Sequence, residues 1–295
     1  MFKKVLFTLT ILLISSLAFS QNVNYNYSTD WDHDWSYDFW EWSHSRPLIE
    51  LNYGLGEPKH DKFLSNLAKV GISELKLGYS DLSVYDKRNA DYILELEDHY
   101  VFGSKLSDKV KQDKSPEGEI KTDMIRFGFG ERKGYGYGTE YFSIIPFIQS
   151  ALALSKLQNI DESLKLINAA DYKIAERYLN EFRFGTVAEA GVKIELASML
   201  AVNASYEAAV IYPRYLVWKQ LGSYALEFVG LHAIDDFVEE IMDRTPFAGP
   251  IVSILLKSGY SYAFYMMKKE NMNWPFKTET PLTYETMKLG VTFTF

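Results

Sequence analysis

The chain has no cysteine. It therefore has no disulfide framework, and it cannot carry a lipid on a cysteine. Basic residues are in deficit as well: the formal net charge is −8, which argues against nucleic-acid binding. The five histidines, His33, His44, His60, His99 and His232, include no i, i+4 pair that would chelate zinc from one helix. A Gly-x-Ser-x-Gly nucleophile motif is missing too. Gly128, Gly130, Gly134, Gly136 and Gly138 lack the strand-turn-helix context of a phosphate loop and read as strand and hairpin glycines. No catalytic residue and no cofactor is expected, and a non-enzymatic role is favoured.

Long apolar runs are also scarce. One lies at the start: Lys3 and Lys4 precede the apolar Val5–Leu17, and Ala18-Phe19-Ser20 supplies small residues for cleavage. The run is short for a permanent span, which needs about 20 apolar residues. Residues 1–20 are thus expected to be a signal peptide, whose removal takes Lys3 and Lys4 away and moves the formal charge from −8 to −10. A second apolar stretch, Pro250–Met267, is interrupted by Ser253, Lys257, Ser258 and Gly259 and does not read as an inner-membrane helix.

Aromatic residues are abundant: 21 Tyr, 19 Phe and 6 Trp make 16% of the chain. Membrane-interface belts use Tyr and Trp in this way, and an aromatic-rich soluble core gives the same composition. Hydrophobic periodicity is more discriminating. Apolar residues alternate with polar or tiny ones in Ile49–Leu55, Leu75–Tyr79, Tyr92–Glu97, Ile125–Gly130, Tyr135–Tyr141, Ala190–Leu196, Val202–Val210 and Met287–Phe295. This predicts eight strands, with Arg132–Gly134 as a hairpin turn between the fourth and fifth. Helical spacing is expected in Ile144–Leu157, in Asp161–Phe182 with Asp161 as N-cap, after Pro213 as far as Arg244-Thr245-Pro246, and in Pro250–Lys269.

The last twelve residues, Tyr284–Phe295, place Leu289, Val291, Phe293 and Phe295 on one face of a strand that ends in an aromatic. This ending resembles the C-terminal strand of bacterial outer-membrane β-barrels. The resemblance implies an outer-membrane location in a Gram-negative cell envelope. It also implies lipid and the barrel-assembly machinery as partners, with Tyr284, Leu289, Val291, Phe293 and Phe295 as the assembly signal. The expected fold is β-rich with helical insertions: a small antiparallel transmembrane barrel of about eight strands over 47–295, with insertions at 144–182 and 214–269. An acidic, aromatic segment at 21–46 precedes it. Glu50, Glu95, Arg126, Glu189, Lys193, Glu207 and Lys288 are expected to face the lumen and pair with one another. A narrow eight-stranded barrel is filled by side chains, which disfavours a channel.

Two rivals stay open at this point: a soluble periplasmic α+β protein binding an apolar ligand, and an outer-membrane enzyme acting on lipid or cell wall. The enzyme would use the acidic patch Asp235, Asp236, Glu239 and Glu240 beside His232, which a solvated helix face explains equally well. Asp30, Asp32, Asp34, Asp38 and Glu41 have the spacing of a calcium loop, but Trp35 occupies the position where the sharp turn requires glycine.

Overall fold

A computed structural model describes residues 45–85, 92–111, 119–138, 142–160, 164–165 and 168–295. Residues 1–20, expected to be a signal peptide, and the calcium-spaced residues Asp30–Glu41 lie outside them.

Eight antiparallel strands close into a barrel in which each pairs with its sequence neighbour and the last with the first. They are β1 (Arg46–Lys59), β2 (Val70–Val84), β3 (Ile93–Ser107), β4 (Thr122–Gly138), β5 (Ser143–Ile160), β6 (Arg183–Ala197), β7 (Leu200–Ile211) and β8 (Leu282–Thr294). A short helix α1 (Ala169–Ala175) lies between β5 and β6, and α2 (Val217–Arg244) and α3 (Gly249–Glu270) lie between β7 and β8. Following paired residues around the wall from Ile49 leads through Leu77, Val101, Phe129, Leu152, Thr186, Val210 and Thr283 back to Lys59, ten residues farther along β1. A stagger of that size tilts the strands by roughly 35–45° to the axis, so no strand edge is left unpaired.

The strand count agrees with the sequence reading, but two of its assignments were wrong and offset one another. Ile125–Gly130 and the described part of Tyr135–Tyr141 belong to one strand, β4, and Arg132–Gly134 is no turn: Arg132 pairs across the ladders with Asp98 and Gln149. Gly134 is there for close approach, since a Cβ on it would meet the Pro146 carbonyl oxygen at 2.3 Å. Ile144–Leu157, expected to be helical, is β5. Its alternation is hidden because both faces are mostly apolar: Ile145, Phe147, Ala151 and Ala153 point inward, while Ile144, Ile148, Leu152 and Leu154 point outward. Within the expected helix Asp161–Phe182, Leu164 and Lys165 are helical and Ala169–Ala175 forms α1, whose N-cap is Asn168, its side chain accepting from the backbone N–H groups of Ala170 and Asp171; Asp161 lies outside the described residues, and the chain from Arg177 to Phe182 is not helical.

The interior is layered. At the end where the long connections emerge, inward residues such as Ile72, Phe102, Met124, Leu157, Ile211 and Tyr284 form an apolar layer. Above it Leu67, Ile120, Leu164, Ala175 and Tyr178 close the opening. Asp171 fixes this cover by accepting from the backbone N–H groups of Leu64 and Ser65, at 3.1 Å and 2.8 Å. Near the opposite end, Leu96, Ile145 and Phe147 make a smaller apolar layer. Charged side chains fill the space between.

The hairpin formed by α2 and α3 packs on the outside of the wall. α3 contacts β4, β5, β6 and β7. Tyr265 packs with outward-facing Ala208 and Val210, and its hydroxyl donates to Glu285 at 3.0 Å. Val238 and Met242, near the end of α2, bury Tyr85 and Ile93 at the short-turn end. Wall residues of β1, β2 and β8 stay exposed: Ile49, Leu51, Tyr53 and Leu55; Leu75, Leu77 and Tyr79; Met287, Leu289, Val291 and Phe293.

Candidate functional site: the charged lumen

Strand parity builds the lumen. On β1, Glu50 and Asn52 point inward between outward Ile49, Leu51 and Tyr53; on β2, Glu74 and Lys76 do so on either side of outward Leu75. Asp98 from β3, Arg126 and Arg132 from β4, Glu189 and Lys193 from β6, Glu207 from β7 and Lys288 from β8 complete the set, all buried. Five buried cations thus face five buried anions among the described residues, with the half-buried Glu195 beside Lys193 at the end of β6.

The pairing is dense. Arg126 makes a two-pronged contact with Glu207 at 2.6 Å and 3.0 Å, reaches Glu74 at 3.2 Å, and donates through Nε to Ser104. Arg132 holds both oxygens of Glu50 at 2.8 Å and reaches Asp98 at 3.0 Å. Lys76 reaches Glu50 at 3.1 Å and donates to Gln149, which in turn donates to Glu189. Lys193 is held more loosely, 4.0 Å from Asp98 and 3.8 Å from Glu195. Phe147 lies under the Arg132 guanidinium at 4.4 Å and Phe102 under that of Arg126 at 5.4 Å. Burying a charge is costly unless it is paired and its remaining donors and acceptors are satisfied. Here most partners come from strands across the lumen, so the network ties opposite sides of the wall together from inside.

Glu74, Glu189 and Glu207 bring carboxylate oxygens within 4.8 Å of one another, a separation at which a metal ion can be held. The ammonium of Lys288 occupies that position instead, donating to Glu189 at 2.6 Å, Glu207 at 2.8 Å and Glu74 at 3.0 Å. A second grouping, Glu97, His99 and Glu131, lies on the outer wall of β3 and β4, where Lys133 bridges both carboxylates.

Six of the seven residues expected in the lumen lie there; Glu95 does not. The inward residues of β3 are Leu96, Asp98, Tyr100 and Phe102, so Glu95 is on the outer face near Tyr135 of β4 and Lys257 of α3. Four lumen charges were missed. Glu74 and Lys76 have the same parity signal as Glu50. Asp98 was lost by the wrong phase on β3, and Arg132 by its assignment to a turn. Of the assembly-signal residues, Leu289, Val291, Phe293 and Phe295 are exposed, with Leu289 retaining 69% of its accessible surface, whereas Tyr284 points inward and is buried. His232, Asp235 and Glu240 lie on exposed parts of α2, where His232 is 3.9 Å from Asp235, Asp235 pairs with Lys257 and Glu240 with Arg244. His60, just beyond β1, packs against Phe63 and Tyr178, and burial holds its imidazole below the ordinary histidine range.

No protein-family model matches the chain, and no curated protein matches it. Among solved structures it is similar to neisserial surface protein A at 10% identity and a TM-score of 0.35, covering 84% of this chain and 97% of that one. It is also similar to Ail, the attachment invasion locus protein of Yersinia pestis, at 11% identity and a TM-score of 0.31, covering 85% and 99%. Ail in complex with the heparin analogue sucrose octasulfate gives 12% identity, the same TM-score and the same coverage. These scores are low, and the assignment of a closed eight-stranded antiparallel barrel rests on the chain's own ladder of backbone pairs.

Proposed function

We propose that the chain is an outer-membrane barrel with a structural or binding role, whose lumen is closed to passage. One observation carries this reading: the polarity of the wall is inverted relative to a water-soluble protein. Ten charged groups are inside, while three adjoining strands expose a row of large apolar side chains outside. Soluble monomers rarely expose contiguous apolar patches beyond a few hundred Å². In hydrocarbon the same surface needs no cover, and a closed ladder leaves no backbone group unsatisfied. The soluble apolar-ligand alternative has to leave this wall in water, which counts against it.

The alternating, exposed face of β8, ending at Phe295, suits recognition by the barrel-assembly machinery. Deletion of Phe295 is expected to block assembly while export continues. The role itself is tested on membranes from the native cell: the mature chain should fractionate with the outer membrane and migrate faster on a denaturing gel before boiling than after. Recovery from the soluble periplasm, with one migration before and after heating, would refute the reading.

A further inference from the structure

Between α3 and the outer wall lies a groove of about 420 Å³, within the range of roughly 300–1,000 Å³ typical of small-molecule sites. Small residues line it: Ala188, Ala190 and Ala208 from β6 and β7, and Ser258, Gly259 and Ser261 from α3. Packed interiors contain few voids larger than a water molecule. Here the void is open at Gly259, where a Cβ would meet nothing within 4 Å.

Position and chemistry select the occupant. The groove residue Tyr206 pairs with Met287 of β8, and the next outward row pairs Ala204 with Leu289, so the groove is level with and continuous with the exposed apolar belt. The Ser258 hydroxyl is taken by the backbone oxygen of Ile254 at 2.5 Å. Water needs two to four polar partners to reside in a cavity, and among the polar lining residues Gln149 and Glu189 turn their side chains into the lumen network while the Tyr206 hydroxyl is bonded to Glu285, which leaves the hydroxyls of Ser261 and Tyr262. A methylene chain needs none.

We infer that this groove holds one acyl chain of a membrane phospholipid, wedged between α3 and the barrel and retained longer than the lipids that surround the open wall. The inference rests on the outer-membrane reading. The test is native mass spectrometry of the full mature chain reconstituted in vesicles of palmitoyl-oleoyl-phosphatidylethanolamine and extracted with a delipidating detergent. Wild type should keep one phospholipid. Gly259→Leu, which places a side chain in open space, and Ala190→Leu, which fills the groove from the wall, should each lose the lipid-bound peak and still show heat-modifiable migration. Val291→Ala, on the uncovered wall, should keep it. Wild type without bound phospholipid, or retention by both filled variants, would overturn the inference while leaving the barrel's location intact. A chain that never enters the vesicles would overturn both.

Discussion

Replacing Arg126 with methionine should lower the stability of the barrel by about 3–5 kcal/mol, the range expected when one partner of a buried charge pair is removed. Arg126 is the shared cation of Glu74 and Glu207, and its loss leaves Lys288 as the nearest compensation for both carboxylates. The change is read as the shift in urea midpoint for unfolding from lipid vesicles. Methionine is close enough in volume that the effect isolates charge from packing. Adding Glu207→Gln should recover part of the loss, because one of the stranded carboxylates becomes neutral; the double variant should cost less than the sum of the singles. Full additivity would mean that the lumen pairs act independently, contrary to the shared contacts.

The second large effect belongs to the other face. Leu289 lies in the middle of the exposed belt, paired with Tyr53 of β1 on one side and Ala204 of β7 on the other. Leu289→Arg should cost about 2–4 kcal/mol in vesicles, the penalty for an arginine on the lipid face near the bilayer midplane. An arginine at position 57, near the end of β1, should cost far less even though Glu57→Arg also gives up an exposed pair with Lys59, since such penalties fall off towards the interface. Were this wall in water, Leu289→Arg would be close to neutral, as most surface changes are. The contrast between the two positions is measured in one unfolding series.

How far the sequence disclosed this arrangement depended on whether the two faces of a strand differ. Over their middles, at Ile49–Leu55, Leu75–Tyr79 and Met287–Phe293, β1, β2 and β8 alternate apolar residues outside with polar residues or glycine inside, and their existence and phase could be read directly. β5 could not be read that way. Its inner face abuts the apolar layers and its outer face is partly covered by α3, so Ile144–Leu157 carries apolar residues on both faces, and the few polar ones, Gln149, Ser150, Ser155 and Lys156, fall on both faces too and leave a period that does not separate strand from helix. β4 failed for another reason: Gly134 fits a turn locally, and only the neighbouring strand shows that it makes room for Pro146 and Phe147. Consequently Arg132, one of the anchors of the lumen, was hidden in a supposed loop. α2 and α3 were legible as helices, but not their position on the wall, because that is fixed by contacts such as Tyr265 with Glu285 between residues far apart in the chain.

Because the chain has no cysteine of its own, single cysteines can report on the wall without background. Placed at Leu51, Leu75 and Leu289 in the vesicle-inserted protein, they should resist a membrane-impermeant maleimide, while one at Lys59, at the end of β1, should react. Equal and rapid labelling at all four positions would show that the belt faces water and would contradict the account.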